Sequence, residues 1–198
     1  MSTVFNVDRF KAALTNGGVR PNQFAVFLSF PTYVGAQALA VARAPFLVTA
    51  AELPGQDIGP ATVFYRGREV KFAGDRVFAP WTITVLNDSD FSIRTAMEQW
   101  MNGMEDLVNK SGRLNPSAYM RDLEVYQLDR NGAVLKGYKL VSAFPSNIAP
   151  VPLDFGANDQ ISNFTVTWQF QHFTVSNAAR QQILDIGSVF SGSIPVAR

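Results

Sequence analysis

At 198 residues the chain has room for a single domain with a sizeable core, and 47% of it is hydrophobic, including sixteen Phe. A formal net charge of +1 excludes the basic excess of a protein that grips phosphates, and the absence of cysteine excludes disulfides, thiolate metal sites and cysteine catalysis. Charged residues make up only 17%, below the usual ~25%, which suits a surface largely covered by neighbours.

In chain order, Val7, Phe10 and Leu14 fall at i, i+3 and i+7 and predict a short helix over 7–16, ended by Gly17-Gly18. Phe24, Val26, Leu28 and Phe30 alternate with Gln23, Ala25, Phe27 and Ser29, a strand that stops at Pro31. Residues 33–45, rich in Gly and Ala, read as a loop or an irregular hairpin arm. A strand over 46–53 is stopped by Pro54-Gly55, and 56–60 reads as a connector. Val63, Tyr65, Val70 and Phe72 flank Arg66-Gly67, a hairpin whose arms carry Arg68 and Lys71.

Residues 73–103 form the most regular unit: a turn at Gly74-Asp75-Arg76, a strand and a capped helix. Trp81, Ile83 and Val85 alternate with Thr82, Thr84 and Leu86, the period of a half-buried strand. Asn87-Asp88-Ser89-Asp90 supplies oxygens for helix amides. Ile93, Ala96, Met97, Trp100, Met101 and Met104 then make one apolar stripe opposite Arg94, Glu98, Gln99 and Asn102, with Gly103 as terminator.

Residues 104–116 read as a surface loop. Strands over 119–129 and 134–143 are joined by Arg130-Asn131-Gly132, a strong hairpin signal, and 144–147 breaks the run. Val151, Leu153 and Phe155 alternate briefly before a turn at 156–159. A strand over 161–173 carries Phe164, Val166, Trp168 and Phe170 on one face and Asn163, Thr165, Thr167, Gln169 and Gln171 on the other. At ~3.3 Å per residue it would extend about 43 Å. A weak helix over 176–187 and a loose end follow. The pattern predicts a mainly β (α+β) fold, a β-sandwich or open barrel with a flanking helix.

The chemistry of catalysis is missing. His172 is the sole histidine and continues the apolar side of the 161–173 strand beside Phe173, where it reads as structural; no second histidine exists for a zinc site. Asp88, Asp90 and Glu98 read as a helix cap and a polar helix face, not as paired acid and base. Asp122 and Glu124 share a strand face with nothing nearby to suggest a metal. Gly74-Asp75-Arg76 lacks phosphate-loop spacing and reads as a tight turn with an Asp–Arg contact, within the subunit or across an interface. Arg66, Arg68 and Lys71 form one basic cluster, read as solvated hairpin arms. The expectation is no enzyme, no cofactor and no metal. No apolar run approaches the ~18–20 residues of a membrane span, and the N-terminus lacks a secretory pattern, so a cytosolic origin is expected.

Four segments in register carry a resemblance: RPNQF at 20–24, ELPG at 52–55, AGDRVFAPWTITVLND at 73–88 and FPSNIAPVPLDFGANDQISNFTVTWQF at 144–170. Together they resemble the tail tube proteins of contractile-tailed bacteriophages over residues 5–173, leaving 174–198 as an extension of unassigned role. The resemblance implies sheets that join between subunits into a continuous barrel, and six-membered rings that stack into a tube. It further implies a surrounding contractile sheath, a baseplate and tail-completion proteins as partners, DNA passing through the lumen, and a place in the virion tail. Within that frame Val63, Tyr65, Arg66, Arg68, Val70, Phe72, Thr165, Thr167 and Gln169 are expected in the intersubunit barrel. Tyr33, Val41, Leu53, Pro54 and Gly55 are expected between rings. Gly74, Asp75, Arg76, Trp81, Met97, Trp100 and Trp168 are expected in turns and core. The inner tube of a related injection or secretion machine, and a monomeric ligand-binding β-barrel with a closed apolar pocket, are the alternatives.

Overall fold

The computed structural model describes residues 6–14 and 18–176. The predicted helix over 176–187 and the extension beyond it lie outside these residues, apart from Ser176, which is in a strand.

The core is built where the sequence periods are cleanest. Strand β5 (Trp81–Leu86) buries Trp81, Ile83 and Val85. Helix α3 (Ser92–Met104) buries Ile93, Ala96, Met97 and Trp100. Strand β8 (Asn163–Gln169) buries Phe164, Val166 and Trp168, and pairs with β5 so that Trp81 faces Trp168. The Trp100 ring meets Trp168 edge-on at 5.2 Å and Phe30 at 5.5 Å, and its indole N–H donates to the Tyr119 carbonyl at 2.8 Å.

The remaining elements complete one open sheet. Helix α1 (Val7–Ala13) opens the described chain, capped by Asn6, whose side chain accepts from the Arg9 amide, and its apolar residues stay exposed. Strand β1 (Phe24–Phe27) pairs with β6 (Arg121–Leu128), and β6 with β7 (Val134–Ile148) across the predicted Asn-Gly turn. Strand β2 (Val48–Ala51) pairs with β5. The sheet order is β1-β6-β7-β8-β5-β2, with β9 (His172–Ser176) on β7. A short helix α4 (Pro116–Tyr119) precedes β6.

Several expectations need correction. Residues 33–45 are mostly helix α2 (Gln37–Leu47), not a loop: its alanines are the strongest helix formers, and Ala40 and Ala44 are small enough to be fully buried. Pro45 is tolerated in its last turn, and Phe46 and Leu47 belong to the helix, so the strand expected over 46–53 shrinks to β2. Gly103 lies inside α3 and does not end it. A Cβ there would overlap the Tyr33 ring, whose hydroxyl donates to the Trp100 carbonyl at 2.9 Å, so this glycine provides a close approach.

Residues 144–147 do not break β7. The strand bends at Ser142 (φ 54°), held by its amide donating to Asp122 at 3.0 Å, and passes from β6 to β8 as its partner. The long strand over 161–173 is two strands, β8 and β9, with a break at Phe170-Gln171, and both pair with the bent β7. That break shifts the alternation. Phe173 turns inward against Tyr138 and Phe78, and His172 is exposed, not on the apolar side. Val151, Leu153 and Phe155 belong to no strand, and the last two are exposed.

Candidate functional site

One part of the chain stands apart. Strands β3 (Gln56–Tyr65) and β4 (Arg68–Phe78) form a two-stranded sheet of their own, a ribbon that pairs with no other described strand. Every residue in it is exposed except Gly74 and Phe78, which are half-buried. The expected connector over 56–60 and the expected turn at Gly74-Asp75-Arg76 are both strand here, so the hairpin is about twice as long as its sequence signal.

Local chemistry explains the length. Arg66 (φ 49°) and Gly67 (φ 79°) are both left-handed, the pattern of a type I′ turn that matches strand twist. Pro60 is admitted because β3 has only one neighbour. Gly74 faces the irregularity between Ile58 and Pro60, where a Cβ would stand 2.7 Å from the Gly59 carbonyl oxygen. No ion pair joins Asp75 to Arg76 among the described residues.

Directly paired residues share a face. Tyr65 with Arg68, Val63 with Val70 and Ala61 with Phe72 make one side. Phe64 with Glu69, Thr62 with Lys71 and Pro60 with Ala73 make the other. Five predicted barrel residues (Val63, Tyr65, Arg68, Val70 and Phe72) therefore lie on a single face, with Arg66 at the tip, its guanidinium 5.6 Å from the Tyr65 ring. Phe72 is 58% exposed and Phe64 74% exposed. An isolated hairpin is marginal in water, so apolar residues displayed this way await a partner.

The base of the ribbon is fixed. Phe78 meets Phe170 and Phe173 at 5.7 and 5.5 Å, and the Trp81 indole donates to the Glu52 carbonyl. Leu53 and Gly55 are exposed and Pro54 half-exposed where the chain leaves β2 for the ribbon. Val41 is exposed on α2, whereas Tyr33 is occupied within the subunit, stacked under Arg113 at 4.1 Å.

Thr165 and Thr167 lie elsewhere, on the half-exposed face of β8. Gln169, exposed on the same strand, is opposite Phe144. The structure thus separates the predicted barrel residues into a ribbon set and a sheet set.

One cluster has no sequence signature of its own, because it joins residues on α2 and at the start of α3 that are 45 and 47 positions apart. Arg43 donates to Asp88 and, at 3.0 Å, to Asp90, tying α2 to the start of α3. Asp88 also accepts from the Ser92 amide at 2.8 Å and the Ser92 hydroxyl at 2.6 Å. Burial alone would raise the Asp88 pKa, but the Ser92 bonds and Arg43 outweigh it and hold the carboxyl below its ordinary value. The alanines at 36, 38, 40, 42 and 44 are the available sequence signal for α2.

Among the described residues no group of three or more His, Cys, Asp or Glu could hold a metal, and no helix is long and apolar enough to cross a membrane. The space between helix and sheet is filled by Trp81, Trp100 and Trp168, where a ligand-binding barrel would need a hollow. An open sheet with a solvent-exposed apolar ribbon defines a structural subunit completed by other chains.

The comparisons identify which kind. Residues 19–176 match the family model described as phage tail tube protein, and the chain belongs to that family. It is 32% identical to the tail tube protein of Serratia phage KSP90 over 80% of this chain and 90% of that protein. It is 29% identical to tail tube protein gp19 of Enterobacteria phage T4 over 81% of this chain and 94% of that protein. In fold it is similar to a chain of the anti-feeding prophage baseplate (TM-score 0.58, 13% identity, 81% of this chain and 96% of that one). It is also similar to a chain of the sheath-tube complex of an extracellular contractile injection system (TM-score 0.50, 16% identity, 88% and 99% covered). The chain is a structural, non-enzymatic component of a phage tail.

Proposed function

We propose that the chain polymerises as hexameric rings that stack into the inner tail tube, within a contractile sheath and seated on a baseplate. Tail-completion proteins cap it, and the tube conducts DNA into the host after assembly in the host cytoplasm. The observation that carries this reading is the exposed β3–β4 ribbon. The exposed β3–β4 ribbon and the open sheet edges at β1 and β2 are the parts of a heterologous interface. Such an interface closes into rings when its rotation allows and propagates when rings stack.

Within this reading the ribbon face with Val63, Tyr65, Arg68, Val70 and Phe72, the tip Arg66, and β8 with Thr165, Thr167 and Gln169 build the intersubunit barrel. Tyr33, Val41, Leu53, Pro54 and Gly55 lie toward the next ring, with Tyr33 held by Trp100 and Arg113 within the subunit. Gly74, Asp75 and Arg76 act inside the ribbon, where Gly74 lets the two strands approach, and Trp81, Met97, Trp100 and Trp168 hold the body together. The tail tube unit is assigned to 5–173, with 174–198 as an extension.

Negative-stain microscopy beside sedimentation tests the proposal. Stacked rings or tubes with a central hole are expected from the purified chain or on addition of phage baseplates. A chain that stays monomeric even with baseplates present overturns it.

A further inference from the structure

We propose that the chain beyond β9 docks back on its own subunit, laying the stripe Ala179, Ile183 and Ile186 in the groove at the turn end of the β6–β7 hairpin. The site belongs to the single subunit, so it goes beyond the tube reading and does not depend on it.

The groove is already formed. Val19, Arg20, Leu128, Asp129, Arg130 and Leu135 line a space of about 440 Å³ between residues 18–23 and the β6–β7 turn. The Gln127 side-chain amide donates to the Arg20 carbonyl at 2.8 Å and to the Gln23 carbonyl at 2.6 Å. The Leu128 amide donates to the Gln23 carbonyl at 2.9 Å, so the two walls are tied together. The Asp129 carboxylate holds the turn by accepting from the Asn131 and Ala133 amides at 2.7 and 2.8 Å. Within this frame Val19 is 60% exposed and Leu135 44% exposed. Leu14, at the end of α1, lies beside Gly18 on the rim, and α1 buries none of its own residues. A fixed apolar hollow beside an uncovered helix is a docking surface.

The described residues end beside that surface. Strand β9 is anchored by Phe173 against Phe78 and Tyr138, and it runs antiparallel to β7 so that Ser176 pairs with Gly137. Two more residues at the same register would set Ala178 opposite Leu135, a step of ~7 Å along the strand. The sequence then carries Ala179, Ile183 and Ile186 at i, i+4 and i+7, with Arg180, Gln182 and Asp185 among the residues between. It offers one apolar side to Val19 and Leu135 and a polar side to solvent. A segment tethered this near the groove has an effective concentration on the order of millimolar. That decides for the subunit's own extension over a second copy at ordinary protein concentrations.

The chain has no cysteine, so introduced thiols report position without background. Val19→Cys subunits, held at a concentration where sedimentation shows monomers, are labelled with a maleimide, with and without Ile183→Asp and Ile186→Asp. The thiol should react about tenfold more slowly beside the native stripe than beside the aspartates. Val41→Cys, on the exposed side of α2, should react equally in the two backgrounds. Equal rates for Val19→Cys in both backgrounds would overturn the docking. So would an equal acceleration at Val41→Cys, which would trace the effect to a loosened subunit. As a second readout, Asn131→Cys combined with Gln182→Cys leaves the stripe intact and is treated with a short bis-maleimide. Cross-links within one chain are expected, in a yield independent of protein concentration. Cross-links only between chains would give the groove to a neighbour's extension, and none at all would leave it empty; either overturns the assignment. A wild-type chain that forms no tubes would overturn the tube reading and leave these results untouched.

Discussion

The β5–α3–β8 unit and the β3–β4 ribbon follow the same local rules and end in opposite environments. The strands of both alternate along their length with period two, both units are rich in β-branched and aromatic side chains, and both have well-formed turns or caps. In the first, Trp81, Trp168 and Trp100 are at most 1% exposed; in the second, Val63, Tyr65 and Phe72 are more than half exposed. The difference lies in partners. β5 and β8 have α3 from the same chain to cover them, whereas among the described residues no other strand pairs with the ribbon, and it is exposed apart from Gly74 and Phe78. Stability of the folded subunit should therefore reside in the first region and assembly in the second.

Substitutions can break that division of labour, and the largest effect belongs to the core. Trp100→Ala should cost about 3–5 kcal/mol, because it empties a site shared by Trp168 and Phe30 and orphans the Tyr119 carbonyl. Chemical denaturation measures this, and a loss below ~1 kcal/mol would contradict the packing. Gly103→Ala should cost about 1–3 kcal/mol by driving a Cβ into the Tyr33 ring. Tyr33→Ala in the same background should recover part of that loss, and a fully additive double variant would show that the two residues do not collide.

Asp88→Ala should cost about 1 kcal/mol through loss of the Ser92 cap. The effect depends on pH with a definite sign. Because the folded carboxyl is held below its ordinary value, its contribution is complete above about pH 4. It disappears as pH falls through the lower, folded-state pKa. The gap in melting temperature between wild type and Asp88→Ala should be constant from neutral pH to mildly acidic pH and close below that. A gap that widens on acidification would reverse the assignment.

The smallest effect on the subunit is expected at the ribbon. Val63→Asp, alone or with Val70→Asp, should change subunit stability by no more than about 0.5 kcal/mol, since both sites are already in water. The same variants should abolish ring and tube formation in microscopy. Loss of stability comparable to that of Trp100→Ala would mean that the ribbon packs on its own subunit.

The period of β5, the stripe of α3 and the alternation of β8 were legible in the sequence because each pattern is local, and each residue's face follows from its spacing. The hairpin at Arg66-Gly67 was legible for the same reason, since its turn needs only two residues that accept positive φ. The length of the ribbon was not: Gly59, Pro60 and Gly74 are strand breakers by composition, and they are accommodated only because the strands meet at an irregular register. Nor was the course of β7 through Pro145, which depends on Asp122 holding the Ser142 bend from another strand. Helix α2 lacks a wide apolar stripe, since its buried residues are Ala40 and Ala44; its alanines favour the helix, and packing against α3 and β1 fixes it. Alternation alone fixed which residues share a face; only the tertiary structure decided which faces were covered, because cover comes from elements distant in sequence.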